Sequence, residues 1–282
     1  SRNLRRIATV LFVPQKGAVR VITNGGIVGS ATPWTAVASG GTTLTYGTVT
    51  EPISSTANTQ DSWGLEVAII NSGASAAAAE AVVDLLIGGA TDDVLAKSLI
   101  CGYTYNAAAT RYFFPVHIPA GKRIAAQSCS VRTSAPIRVG IWLYGSSNPP
   151  FHVGKKITTY GTQANAARGV AITPTASGGA ASVTQITAST TEAHFYSLPG
   201  FQAATDTTIT PAGWMNIGIG IGAATEERIG TWWIGKDTTE IFTGPIPALG
   251  AFHAIPASSR LTILASNSGA NDAAYDGLIY CV

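Results

Sequence analysis

His117-Ile118-Pro119-Ala120-Gly121-Lys122-Arg123-Ile124 and, near the end of the chain, His253-Ala254-Ile255-Pro256-Ala257-Ser258-Ser259-Arg260-Leu261 are two versions of one segment. Laying Ile118-Pro119-Ala120 on Ile255-Pro256-Ala257 puts Arg123 on Arg260, an offset of 137 residues. The same offset lays Gly140-Ile141-Trp142-Leu143-Tyr144-Gly145 on Gly277-Leu278-Ile279-Tyr280-Cys281-Val282. Upstream, Ala38-Ser39-Gly40-Gly41 matches Ala176-Ser177-Gly178-Gly179 at an offset of 138. With gaps, Trp63 falls on Trp214, and Glu80 through Gly88 on Glu227 through Gly235. Matches in one order over both halves indicate an internal duplication, and a repeat outranks local propensity as evidence of fold.

The repeated segment has a mechanical meaning. Proline cannot donate to a ladder, so it starts a strand or sits at an edge. Residues 111–118 then form one strand, a Pro-Ala-Gly-Lys turn follows, and Arg123 to Val131 forms the next. Pro256-Ala257-Ser258-Ser259 does the same before Arg260 to Ala265. Strand signals dominate elsewhere: Val19 to Thr23 before Asn24-Gly25-Gly26, and Gly64 to Ile70 before Asn71-Ser72-Gly73. The partner of Gly64 to Ile70 is read as Met215 to Ile221, which alternates strictly. Its Gly-x-Gly-x-Gly run lacks the strand–turn–helix setting of a phosphate loop.

One stretch, Ala74 to Ile87, favours helix by its alanines. The segment laid against it contains Gly230 and the pair Trp232-Trp233, a poor helix and a good strand. The repeat therefore predicts a strand over Val82 to Ile87, with the alanines as the preceding loop. Seven or eight short strands per half, with turns every 8–12 residues, predict an all-β protein of two tandem jelly-roll-like β-sandwiches. The boundaries follow: an arm over 1–16 with no counterpart in the second half, a first sandwich over 17–145, a linker over 146–151 containing Pro149-Pro150, and a second sandwich over 152–282. Pro-Pro is stiff and extended, so the two domains hold a set orientation.

Composition bounds function. Only 11% of the 282 residues are charged while 46% are hydrophobic, with 31 Gly. An average soluble domain has about 25% charged residues. So few charges protect a free monomer poorly against association, which predicts surface covered by partner subunits. The net charge is +2, and the only basic cluster is Arg2, Arg5 and Arg6, so nucleic acid is not an expected partner. No apolar run reaches the 18 or more residues of a membrane helix. Ser1 is what removal of an initiator methionine leaves, an expectation of cytoplasmic synthesis. The arm joins its arginines to a β-prone run around Phe12, so Arg2, Arg5, Arg6 and Phe12 are candidate subunit contacts, by strand addition to a neighbour. The alternative is an extra strand on the arm's own domain.

No constellation carries chemistry. His117 and His253 recur before the Ile-Pro-Ala motifs, but no paired acid accompanies them. His-Glu-x-x-His, Cys-x-x-Cys and Gly-x-Ser-x-Gly are absent, and Asp92-Asp93 and Asn267 to Asp272 lack the ligand spacing of a calcium loop. The expectation is a non-enzymatic protein with no cofactor and no metal. Cys101, Cys129 and Cys281 lie outside the repeated plan, and an odd number excludes complete intramolecular pairing. They read as buried thiols, with Cys281, next to the C-terminus, the candidate for an intersubunit disulfide. Among the aromatics, Trp63, Trp214 and Trp142 read as core positions, the first two through their match to each other and the third through Ile279. Trp232 and Trp233 are adjacent, so on a strand they face opposite sides, and one of them is a candidate interface or ligand aromatic.

Pro115-Val116-His117-Ile118-Pro119-Ala120-Gly121-Lys122-Arg123-Ile124-Ala125-Ala126 resembles segments of structural proteins of tailed bacteriophages, as does the duplicated, charge-poor β composition around it. The close resemblance covers about a dozen residues and carries over no functional residue. It implies a component of the virion, made in the host cytoplasm: a head decoration, collar, tail or fibre protein. Such a protein acts through contacts with its own copies and with other virion proteins. The alternative reading is a carbohydrate-binding β-sandwich module or adhesin, with a host-surface glycan as its partner.

Overall fold

A computed structural model describes residues 20–23, 34–42, 44–71, 81–89, 91–101, 109–130, 134, 137–145, 152–162, 169–203, 213–222, 226–236, 250–269 and 275–282. The arm over 1–16, with Arg2, Arg5, Arg6 and Phe12, and the linker over 146–151 lie outside the described residues. Every regular element among the described residues is a strand. The first half contains β1 (Arg20–Thr23), β2 (Thr35–Ala36), β3 (Thr50–Ile53), β4 (Gly64–Asn71), β5 (Ala81–Gly88), β6 (Asp92–Cys101), β7 (Thr110–Phe114), β8 (Arg123–Ser130) and β9 (Ile137–Gly145). The second contains β10 (Thr158–Tyr160), β11 (Val170–Ile172), β12 (Ser182–Thr187), β13 (His194–Ala203), β14 (Gly213–Ile221), β15 (Glu227–Lys236), β16 (Ala251–Ile255), β17 (Leu261–Asn267) and β18 (Tyr275–Cys281).

The halves are wound identically. In the first, one sheet runs β1-β9-β4-β7, with β2 also on β9, and the other β3-β8-β5-β6. In the second the orders are β10-β18-β13-β16, with β11 on β18, and β12-β17-β14-β15. Because β1 and β2 follow one another along the same side of β9, each half has eight strand positions. Their pairs nest: first with last, second with seventh, third with sixth, fourth with fifth. All pair antiparallel, and this nesting is a jelly roll. The protein is therefore all-β, two tandem jelly-roll sandwiches from one duplication.

The strand order corrects the middle of the sequence alignment. β4 has β13 as its counterpart, β5 has β14 and β6 has β15. Trp63 and Trp214 thus do not correspond, Gly64 to Ile70 matches His194 to Ala203 rather than Met215 to Ile221, and Glu80 to Gly88 does not match Glu227 to Gly235. The strand over Val82 to Ile87 stands all the same, within β5, while the alanines before it lie outside the described residues. The repeated Ile-Pro-Ala segments hold well. Arg123 meets Asp92 and Glu51, and Arg260 meets Glu226 at 2.8 Å.

Each Ile-Pro-Ala turn is clamped by one buried polar side chain. Asn58 Nδ2 donates to the carbonyls of Pro119 and Lys122 at 2.8 and 2.9 Å. In the second half the Thr190 hydroxyl donates to the Pro256 carbonyl and accepts from the Ser259 N–H. Both turns need a left-handed residue, at Gly121 (φ 74°) and Ser258 (φ 63°). Glycine takes that conformation freely, whereas serine pays for its Cβ. The two sheets of each sandwich close on alternating apolar residues. In the first half these include Leu65, Val67 and Ile69 of β4 and Val139, Ile141 and Leu143 of β9, all fully buried. In the second they include Met215, Ile217 and Ile219 against Leu261 and Ile263.

Candidate interaction surfaces

The two sandwiches meet edge onto face. On one side are β6 and β7, which end the two sheets of the first sandwich and turn backbone groups outward that no described strand pairs. On the other is the outer face of β10, β18 and β13, where Thr159, Tyr280 and Leu198 form one cross-strand row. The Tyr280 hydroxyl donates to the Ser98 carbonyl at 2.7 Å and accepts from the Ile100 N–H at 3.0 Å. Its ring enters the open side of the first sandwich and stands edge-on to Tyr112 and Phe114, centroids 5.4 and 6.0 Å away. Edge-to-face aromatic pairs add to what burial alone contributes. The Tyr112 hydroxyl donates to the Ile100 carbonyl from within.

Further side chains dock on the same edges. Thr159 Oγ1 donates to the Lys97 carbonyl at 2.9 Å, and the Tyr196 hydroxyl to the Phe113 carbonyl at 2.6 Å. Gly154 exchanges backbone bonds with Pro115 and His117 at 2.9 and 2.8 Å. A bare sheet edge is a template for another chain, and here the second domain caps it with hydroxyls.

The edge is shaped for this by a bulge. Between Val83 and Leu85 one residue of β5, Asp84, stands opposite two of β6, Lys97 and Ser98. Ser98 has φ 55°, and its N–H donates to Asp84 Oδ1 at 2.7 Å. A bulge re-aims backbone groups, and this one turns the Ser98 carbonyl toward Tyr280. Asp84 is 4% exposed and also accepts from the Tyr46 hydroxyl at 3.1 Å. Burial raises its carboxyl pKa despite those donors. Burial also raises the Tyr46 hydroxyl, with the charge of Asp84 adding to it.

The second sandwich has the same two edges, β15 and β16, and among the described residues no strand pairs with their outer sides. Exposed aromatics stand on these strands or beside them. Trp233 on β15 is 61% exposed, Trp214 on the adjoining β14 is 41% and Phe252 on β16 is 45%. Trp214 and Trp233 touch, with centroids 4.6 Å apart and planes at 66°. Trp232 faces the other way and is 5% exposed in the core, so of the adjacent pair only Trp233 remains a candidate surface aromatic.

The outer face of the first sandwich is aromatic too. Trp142, in a row with Glu66 and Phe113, meets Trp34 edge-on at 6.1 Å, and the Arg111 guanidinium lies 5.8 Å from its ring. Arg111 also pairs with Glu66 at 3.0 Å, and the Tyr144 hydroxyl sits 2.5 Å from the same carboxylate. Trp142 is thus an outward residue, against the core reading drawn from Ile279. The offset of 137 also lays core Leu143 on outward Tyr280. A one-residue slip reverses every face of a strand, which accounts for both errors.

The cysteines are free and buried. Cys281 is 0% exposed, out of reach of a neighbour's thiol, so the expected intersubunit disulfide does not fit this structure. Burial raises its thiol pKa, as it raises Cys101 to about 12 and Cys129 to about 11. His117 lies 3.6 Å from Asp61, whose carboxyl is lowered first by the Ala120 N–H. His194 is 6% exposed, its Nε2 is 2.9 Å from the Tyr160 hydroxyl, and burial lowers its pKa. Asp92 is engaged by Arg123. Among the described residues no group of three or more His, Cys, Asp or Glu side chains could hold a metal ion.

No family model matches the chain, and no curated protein matches it significantly. Among solved structures it is similar to the N-terminal CBM22-1–CBM22-2 tandem domain of Xyn10C from Paenibacillus barcinonensis, at 10% identity and a TM-score of 0.27, covering 88% of this chain and 92% of that one. It is also similar to tripeptidyl peptidase 2, at 6% identity and a TM-score of 0.27, covering 93% of this chain and 23% of that one. Backbone agreement this low carries no argument, so the fold rests on the strand order itself.

Proposed function

We propose that the chain is a non-enzymatic structural subunit of the tailed-phage virion type, a head decoration, collar, tail or fibre component, working through contacts between subunits. The observation that carries this reading is the joint between the sandwiches. In it an open β6–β7 edge serves as a protein-docking surface, capped by Tyr280, Tyr196 and Thr159. The resemblance of the Ile-Pro-Ala segment to phage structural proteins and the scarcity of surface charge support the same reading. Sedimentation velocity of the purified chain, with mass spectrometry of purified particles, tests it. Association in solution, or presence in particles, is expected; a stable monomer that is also absent from particles would sink it.

The second reading, a carbohydrate-binding module, draws on exposed Trp233 and Trp214. Sugar stacking wants a flat platform, and planes at 66° do not make one. Under that reading Trp233→Ala abolishes glycan binding without altering the melting curve.

A further inference from the structure

The duplication gives the chain two copies of one edge and two copies of one face, and the joint consumes one of each. The β6–β7 edge of the first sandwich is seated on the outer face of β10, β18 and β13 of the second. Among the described residues, that leaves the β15–β16 edge of the second sandwich and the outer face of β1, β9 and β4 of the first with no strand against them. Outward-facing aromatics, exposed on the second sandwich and half-buried on the first, lie on or beside these surfaces. Trp233 stands on the edge strand β15 at 61% exposure, with Trp214 beside it on β14 at 41%. Trp142 and Tyr144 of β9 line the remaining face, flanked by Trp34 just before β2 and by the half-exposed Arg111 of β7.

We infer that the β15–β16 edge docks on the β1–β9–β4 face of a second copy of this chain, repeating between molecules the joint made within one. This deepens the structural-subunit reading and rests on it. The occupant is a second copy because the chain itself carries the complementary surface, and because the same edge and face are already joined once within the chain. The contact is heterologous: what one molecule offers differs from what it receives. Such contacts propagate until rotation closes a ring, or they continue as a filament. The aromatic content suits it, since tryptophan and arginine dominate the energy of protein interfaces. The bulge at Ser98 has no counterpart at the same place on β15, where the register shifts instead near Ile219 and Gly220. The intermolecular joint therefore leans on Trp233 where the internal one uses a re-aimed carbonyl.

The test uses two blocked variants of the full chain. Trp233→Glu spoils the edge and leaves the face; Trp142→Glu spoils the face and leaves the edge. Sedimentation velocity over a concentration series reads wild type, each variant alone and an equimolar mixture, with unfolding curves to confirm folding. If Trp142→Glu is unfolded, Arg111→Glu replaces it; Trp214→Glu backs up the edge. Wild type is expected to form species beyond the dimer, and each variant to self-associate at least about tenfold more weakly. The mixture should recover a one-to-one dimer that goes no further, because one intact edge meets one intact face. Variants that associate like wild type, or a mixture that stays monomeric, overturn the inference. So does a wild type that is monomeric at high concentration. If that monomer is nevertheless present in purified particles, only this inference falls; if it is absent, the structural-subunit reading falls with it.

Discussion

Replacing Tyr280 by phenylalanine keeps the ring between Tyr112 and Phe114 and removes one oxygen. That oxygen serves two buried backbone groups of the other domain, the Ser98 carbonyl and the Ile100 N–H. Ile100 is fully buried and Ser98 is 3% exposed, so water does not replace the lost partner. Each buried group left unsatisfied costs about 1–3 kcal/mol. The better burial of phenylalanine offsets part of this, leaving a net loss of roughly 2–4 kcal/mol. For a unit of 150–250 residues that corresponds to a fall in Tm of roughly 4–16 °C. Urea denaturation at constant m, followed by tryptophan fluorescence, measures it. Because the bond joins two domains, the weakened joint should also split one transition into two. A double-mutant cycle with Tyr112→Phe, whose hydroxyl serves the carbonyl of the same Ile100, should show coupling, since neighbouring groups in one network are not additive. A Tyr280→Phe variant within about 0.5 kcal/mol of wild type, with a single transition, would refute the claim that the joint is built and not incidental.

Ser258→Gly relieves a left-handed serine that costs about 1–2 kcal/mol, against roughly 0.5–1 kcal/mol of extra glycine entropy, so a gain of up to about 1.5 kcal/mol should appear in urea melts. The corresponding Gly121→Ser should lose stability by the same measurement. Native protein should leave all three thiols unreacted toward a thiol-specific chromophore, with full reaction only after denaturation, because burial raises Cys101 to about 12 and Cys129 to about 11 and raises Cys281 likewise. His194 is held neutral by burial, its folded pKa below the ordinary 6.5. The unfolded chain therefore binds more protons, and stability is lost as pH falls from about 6.5 toward the folded value. His194→Gln should flatten that part of the stability–pH curve, and an unchanged slope would remove the histidine from the account.

How much of this was legible in the sequence depends on what each position must satisfy. The Ile-Pro-Ala turns were readable because proline and a left-handed residue are demanded by backbone geometry in both copies. The strand over Val82 to Ile87 was readable against alanine-rich propensity because the repeat constrains it. The register of the middle strands was not, because tryptophans were matched by type. Trp63 sits buried beside β4 and Trp214 stands half-exposed on β14, and no shared constraint made either a tryptophan. The joint was invisible for a related reason. Leu143 and Tyr280 are both acceptable in an apolar strand, and one residue of slip decides which of them looks inward. Asn58, Thr190 and Asp84 were missed because a lone polar side chain shows its partners only once distant carbonyls or amides are brought to it. Only the adjacency of Trp232 and Trp233 announced that something faced outward.

A cryo-electron microscopy map of the chain in its native assembly tests the central claim most directly. The account predicts the Tyr280 joint within each chain and, between chains, the Trp233 edge of one copy against the Trp142 face of the next. A map in which the chain makes no contact with copies or virion proteins through these surfaces, or in which Trp233 instead stacks on a glycan, would contradict it.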